Sequence, residues 1–400
     1  MVGHIEMTHP PRTMGPGSGV ESPRRVIQAD RLVLPDGLRG PGYVTLEDGR
    51  VAGVEEGRHR RPDLDGAGCV LAPGFVDLQV NGAAGCDFLA PTDAGLEAAH
   101  AHLRGTGTTG YLATLISAPE APLRAALAFF AARMHRRHAP AILGVHLEGP
   151  FLSPARAGAH RLEHLRPPSV EWITRLLDDF PGVVRLVTLA PECEGADAVI
   201  DALVSRGIVV SAGHTDATYE QAMAAFDRGV RMATHLFNAM RPYHHREPGI
   251  IGAALAHPRV TCSVIADHVH VHPAVLDQAL ALTAPERAIL VTDAISAAGA
   301  QGTALSLGDR TVRVVDGAPR LDDGILAGSV LTMDQAVRNV SKRWGVAHAV
   351  RMAATIPARL LGLHTGVMVE GAPADLVLLD ERLAVRTVIA AGDVVWTSQI

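Results

Sequence analysis

Eight short apolar runs fill the middle of the chain, between about residues 72 and 365, and longer alanine-rich stretches separate them. In order the runs are GFVDLQV, GYLATLIS, AILGVHLE, VVRLVTLAPE, GIVVSAGH, VRMATHLF, VTCSVIAD and AILVTD. Stretches such as DAGLEAAHAHLR, SVEWITRLLDDF and TYEQAMAAFDRG lie between them with helical character. Apolar strands alternating with helices make parallel sheets, because each strand needs a crossover to reach its neighbour. Eight strand–helix units in roughly 300 residues predict a closed (β/α)8 barrel. The rival, an open doubly wound sheet, carries a GxGxxG turn after its first strand, and none stands there.

The flanks differ. Residues 25–71 and 366–400 read as short alternating strands with Asp-Gly and Gly-Asp turns, which predicts one small β-sandwich domain built from both ends of the chain around a barrel domain at 72–365. Residues 1–24 are rich in Pro, Gly and Ser without an apolar core for a signal sequence, and are expected to form a flexible extension.

A barrel places its chemistry at the C-terminal ends of its strands. Here those ends carry Gln79 and Asn81, Glu148, Glu192, His214, His235, Asp267 and Asp293. Glu148, His214 and His235 supply one carboxylate and two imidazoles from three strands, the ligand set of a catalytic zinc site with a position left for water. Most of the 20 histidines are expected to be ordinary surface or core residues, so it is the strand-end placement that singles out these two. Asp293 closes the eighth run and can act as general base and acid, a role compatible with capping the helix that follows. At the end of the first run Gln79 and Asn81 stand where a His-x-His pair would bind a second metal; amides bind zinc poorly, so one divalent ion is expected, with zinc favoured and iron, manganese or cobalt open. Beyond strands six and seven, Asn238, Ala239, Arg246 and His270 could meet an anion, although Arg246 also reads as an ordinary surface arginine.

Composition removes other classes. A net charge of −6 offers no basic field for nucleic acid. No run of about 18 apolar residues exists to span a membrane. Four dispersed cysteines suit a reducing cytoplasm. Among the 36 Lys and Arg residues the only lysine is Lys342, in a helical stretch, so no strand-end lysine can form a Schiff base or a carbamylated metal bridge.

The motifs HLEGPFL, RAGAH, LAPE, SAGHTDATYEQ, ATHLFNAMR with REPG, ADHVH, VTDA and LAGSVLTM stand in this order. From about Gly49 to Val395 the chain thereby resembles the N-acetylglucosamine-6-phosphate deacetylase family of the amidohydrolase superfamily. The resemblance implies a barrel with a β-sandwich from both ends, and hydrolysis of the acetamide of N-acetylglucosamine 6-phosphate to glucosamine 6-phosphate and acetate. It implies Glu148, His214 and His235 as metal ligands and Asp293 as proton donor and acceptor. Ala159, His160, Asn238, Ala239, Arg246, Asp267, His268, Val269, His270, Leu326, Ala327 and Gly328 match its substrate-binding positions. It also implies a homodimer or homotetramer in which Arg246 reaches a neighbouring site. Gln79-Val80-Asn81 sides with members that hold one metal. Deacetylation of N-acetylgalactosamine 6-phosphate or an N-acyl amino acid, or a metal-free scaffold, stays open at this point.

Overall fold

The computed structural model describes residues 24–134, 139–283, 286–300 and 305–399. The expected extension at 1–24 therefore lies outside the described residues except for Arg24. Eight parallel strands run in sequence order around a barrel: Phe75–Val80, Thr108–Ile116, Ala141–Glu148, Val184–Leu189, Val209–Ala212, Met232–Ala233, Thr261–Val264 and Ala288–Leu290. The first two are buried along their whole length, because side chains on one face fill the barrel and those on the other meet the helices. That double burial is why the sequence shows continuous apolar runs in place of alternation.

The helices between the strands are cut by ordinary capping chemistry. Ser169 accepts from the Trp172 N–H and starts Val170–Asp179, which buries Trp172, Ile173, Leu176 and Leu177. Thr218 and Gln221 form a reciprocal capping box that begins Tyr219–Arg228 just after His214 and so fixes where the loop carrying that histidine ends.

The first and eighth strands close the barrel across a seam of individual bonds. The Asp293 N–H donates to the Gln79 carbonyl at 2.9 Å and the Asn81 N–H to the Ala294 carbonyl at 2.7 Å. The buried Thr292 hydroxyl donates to Asp77 Oδ2 at 2.6 Å. The residues that close the barrel are thus neighbours of those that furnish its chemistry.

A second, eight-stranded sheet draws on both ends of the chain. Leu64–Pro73 lies parallel to Arg25–Leu34 and antiparallel to Leu376–Leu379, and the sheet has its own core around Ile27, Leu46, Leu71, Leu376 and Ile389. Only Gly74 separates Leu64–Pro73 from the first barrel strand, which ties the sheet to the barrel floor.

One element has no counterpart in the sequence pattern. After the eighth strand, Leu305–Leu307, Arg310–Val315 and Ala318–Arg320 form a three-stranded antiparallel flap. It is held to the loop bearing His160 by the Arg161–Asp309 ion pair at 2.7 Å and by Arg310 donating to the Ala159 carbonyl at 3.4 Å.

Candidate active site

Glu148, His214 and His235 converge at the C-terminal mouth of the barrel. Glu148 Oε1 lies 3.2 Å from His214 Nε2 and 3.0 Å from His235 Nε2, and the two nitrogens are 3.1 Å apart. All three residues are buried. The backbone is bent to bring them there: His214, His235 and Asp293 have φ of 47°, 31° and 50°, in a region that residues with a Cβ rarely enter. Each such residue costs of order 1–3 kcal/mol, which the surrounding packing must supply. Gly213 makes room for the first bend, since a Cβ there would stand 2.8 Å from Thr234 Cβ.

Hydrogen bonds decide which nitrogen is free. His214 Nδ1 lies 3.0 Å from the Arg156 carbonyl, which can only accept, so that nitrogen carries the proton and Nε2 presents a lone pair. That lone pair confronts a carboxylate oxygen and a second imidazole nitrogen. Three electron-rich atoms this close need a cation between them, and ligands of a tetrahedral zinc with bonds of about 2.0–2.1 Å stand about 3.3 Å apart. The residues therefore fit a divalent metal. Burial opposes the charge on Glu148, but the His214 and His235 rings that face it hold its pKa well below the usual carboxylate range. His235 is also buried, and its Glu148 partner outweighs burial and raises its pKa.

His160 stands on the other side of the carboxylate, with Nε2 3.8 Å from Glu148 Oε2, and its nitrogens also fall within ligand reach of Glu148 and His214. Its tautomer argues for a different task. Nδ1 accepts from the Ser117 N–H at 3.2 Å, so Nε2 bears the proton and points a donor into the cavity. Burial, then the neighbouring His214, pushes its pKa down to about 3, which keeps the ring neutral.

Asp293 faces the same cavity. Its Oδ1 accepts from Asn81 Nδ2 at 2.7 Å and from Gln79 Nε2 at 3.1 Å, and Gln79 Nε2 also reaches Glu148 Oε1 at 3.0 Å. The first-strand amides thus spend their donors holding two carboxylates in register. Burial first, and the Glu148 charge second, push Asp293 up to about 6. A carboxyl poised near neutrality beside the Glu148–His214–His235 triangle is suited to taking and returning a proton.

An amidohydrolase family model matches residues 70–395. The chain belongs to the amidohydrolase family. It is 35% identical over 363 residues to N-acetylglucosamine-6-phosphate deacetylase of Lysinibacillus sphaericus, covering 87% of this chain and 92% of that protein. It is 36% identical over 372 residues to N-acetylgalactosamine-6-phosphate deacetylase of Escherichia coli O157:H7, covering 92% and 98%. Its fold superposes with a TM-score of 0.90, at 39% identity, on a mutant N-acetyl-D-glucosamine-6-phosphate deacetylase of Mycobacterium smegmatis in complex with N-acetyl-D-glucosamine-6-phosphate, covering 94% of this chain and 100% of that one.

Within this amidohydrolase the remaining sequence-selected residues separate into two groups. Ala159, His160, Asn238, Ala239, His270, Leu326 and Gly328 line a cavity of about 330 Å³ together with Glu148, His214, His235 and Asp293. Phe237 and Ala239 have φ of 81° and 49°, and the Asn238 N–H between them donates to the His235 carbonyl at 2.9 Å, which closes this turn on the metal-site histidine. Ala327 is buried behind the lining. Asp267 supports the wall: it accepts from the His270 ring at 2.7 Å and from the Val269 and His270 N–H groups. His268 and Val269 are not among the lining residues, and Arg246 sits on an exposed turn against His245, outside this chain's own cavity. Glu192 is spent on Thr215 and the Asp216 N–H, bracing the loop after His214.

The sequence reading did not pick out Arg156, whose carbonyl sets the His214 tautomer, Ser117, which sets that of His160, or Arg320, which reaches the cavity from the flap. Backbone carbonyls carry no residue-type signal, so the first could not have been found. Ser117 ends the second apolar run and was open to the strand-end argument.

Proposed function

We propose that this amidohydrolase removes the acetyl group from N-acetyl-D-glucosamine 6-phosphate, giving D-glucosamine 6-phosphate and acetate. The observation that carries the reading is the Glu148–His214–His235 triangle with Asp293 held beside it by the Gln79 and Asn81 amides. A single divalent ion on the triangle, zinc by the preference of two imidazoles and one carboxylate, supplies Lewis acidity toward a carbonyl oxygen and toward water.

The chain's own groups do the rest. Asp293 Oδ1 is pinned by two amides, so Oδ2 is the base that takes a proton from the attacking water and then delivers it to the amide nitrogen as the C–N bond breaks. His160 Nε2–H donates to the carbonyl oxygen as negative charge grows there. Asn238, Ala239 and His270, which line the cavity, hold the sugar phosphate away from the reacting atoms, so that binding energy fixes the acetamide over the site. The relatives named for this activity, and the complex of the mycobacterial enzyme with that sugar phosphate, support the choice of substrate.

The reading includes a homodimer or homotetramer in the cytoplasm. Exposed Tyr243 beside Arg246 offers the surface through which a second copy would bring Arg246 to a neighbouring cavity.

The galactosamine epimer is the competing substrate, because the E. coli relative named for it is as similar as the others. Acetate release from N-acetylglucosamine 6-phosphate, its galactosamine epimer and unphosphorylated N-acetylglucosamine tests the assignment. The highest kcat/KM is expected with the first. A preference for the unphosphorylated sugar contradicts the reading, and a preference for the epimer replaces the sugar.

A further inference from the structure

The flap carries three arginines, and two are matched by acids. Arg313 pairs with Asp322 at 3.6 Å and Arg310 with Asp323 at 4.0 Å. Arg320, on the last flap strand, is different: Nη1 donates to the Gly324 carbonyl at 2.9 Å, and among the described residues no carboxylate lies within ion-pair distance of it. That single bond orients the guanidinium and leaves Nε and Nη2 without a protein acceptor among those residues.

Among the described residues, Arg320 is also the only arginine or lysine lining the active-site cavity. The other charged or chargeable groups there are Glu148, Asp293 and the histidines, and His160 is held neutral by burial. A metal ion would answer the carboxylates at the cavity floor. A second anion entering with the substrate would find in this chain one permanent cation, on the flap. Arginine presents a planar fork of donors that matches phosphate oxygens in pairs.

We infer that Arg320 is a specificity-determining residue that binds the phosphate of the substrate from the flap side of the cavity. The inference rests on the sugar-phosphate reading above. Because the flap is tied through Asp309 and Arg310 to the loop bearing His160, phosphate held by Arg320 also keeps the flap seated over the acetamide.

The experiment compares wild type with Arg320→Gln and Arg320→Lys on N-acetylglucosamine 6-phosphate and on unphosphorylated N-acetylglucosamine, with inorganic phosphate as a competitive inhibitor. Gln can still donate to the Gly324 carbonyl, so the local turn is retained. Arg320→Gln should lose about 10- to 100-fold in kcat/KM on the phosphorylated sugar, mainly through KM, and weaken phosphate inhibition by about 10-fold or more. Its activity on the unphosphorylated sugar should stay within about twofold of wild type, and Arg320→Lys should recover part of the loss. Equal losses on both sugars, or no loss on the phosphorylated one, overturn the inference. If wild type itself shows no preference for the phosphorylated sugar, the substrate reading fails instead, and the two failures are distinct.

Discussion

Thr292 donates its hydroxyl to Asp77 at 2.6 Å, and this contact bridges the seam where the last barrel strand meets the first. The second carboxylate oxygen accepts from the Gln79 and Thr292 N–H groups at 3.2 and 3.3 Å. One buried acid thus fixes the residues on either side of the catalytic centre, Gln79 directly and Asp293 through its neighbour. Among the described residues no cation offsets its charge, and burial pushes its pKa up to about 7.

The sign of the pH effect follows from that shift. The folded state holds the Asp77 proton more tightly than the unfolded chain, whose carboxyl has its usual value of 3.8. The stability this group contributes is complete below that value and is lost as pH rises toward about 7. In Asp77→Asn the amide oxygen keeps both backbone bonds, and its nitrogen can donate to Thr292 Oγ1 while that hydroxyl turns to the Gln79 carbonyl 3.3 Å away. We expect the Tm of Asp77→Asn relative to wild type to improve from pH 4 to about 7 and then level off. Asp77→Ala should lower Tm throughout, since each stranded donor costs about 1–3 kcal/mol. Thermal melts across that range check both; a difference that ignores pH rules out a buried ionising carboxyl.

Asp293→Asn tests the proton carrier. An asparagine oxygen at Oδ1 can still accept from Gln79 and Asn81, so the site should keep its shape and its metal. Turnover should fall by at least about 10²-fold, the scale of lost general acid–base help. Single-turnover acetate release with metal content measured on the same sample decides it, and near-normal turnover would assign the base elsewhere.

The pH profile offers a separate check. Asp293 must be ionised to accept a proton, so activity should fall as pH drops through its pKa, which burial and Glu148 place at about 6 before a metal is counted. A bound cation favours the charged carboxylate, so the acid limb of kcat/KM should lie at or below pH 6. Asn81→Ala removes a 2.7 Å hydrogen bond that favours the ionised form, and should move that limb to higher pH. A limb that moves down, or stays, contradicts the role given to the first-strand amides.

Much of this architecture was legible because barrel strands are buried on two faces. AILGVHLE spans the same residues as the third strand, Ala141–Glu148, and its last residue is the carboxylate of the buried triangle at the barrel mouth. VRMATHLF was legible as a run but only Met232–Ala233 is strand, because the chain leaves the ladder for the positive φ that aims His235 inward. The convergence of Glu148, His214 and His235 was legible since carboxylates and imidazoles at apolar-run ends are chemically conspicuous. The flap was not, for its short strands alternate with charged residues and resemble any surface hairpin. Nor could sequence show that Arg320 faces the cavity while Arg313 faces Asp322, a distinction that arises only when the flap folds over the barrel mouth.

Three electron-rich atoms at the barrel mouth should hold one divalent ion. Mass-spectrometric metal analysis of the purified chain tests it most directly. One divalent ion per chain is predicted, falling to near zero in Glu148→Ala. A chain that neither contains nor takes up a divalent ion, or one that holds two, contradicts the account.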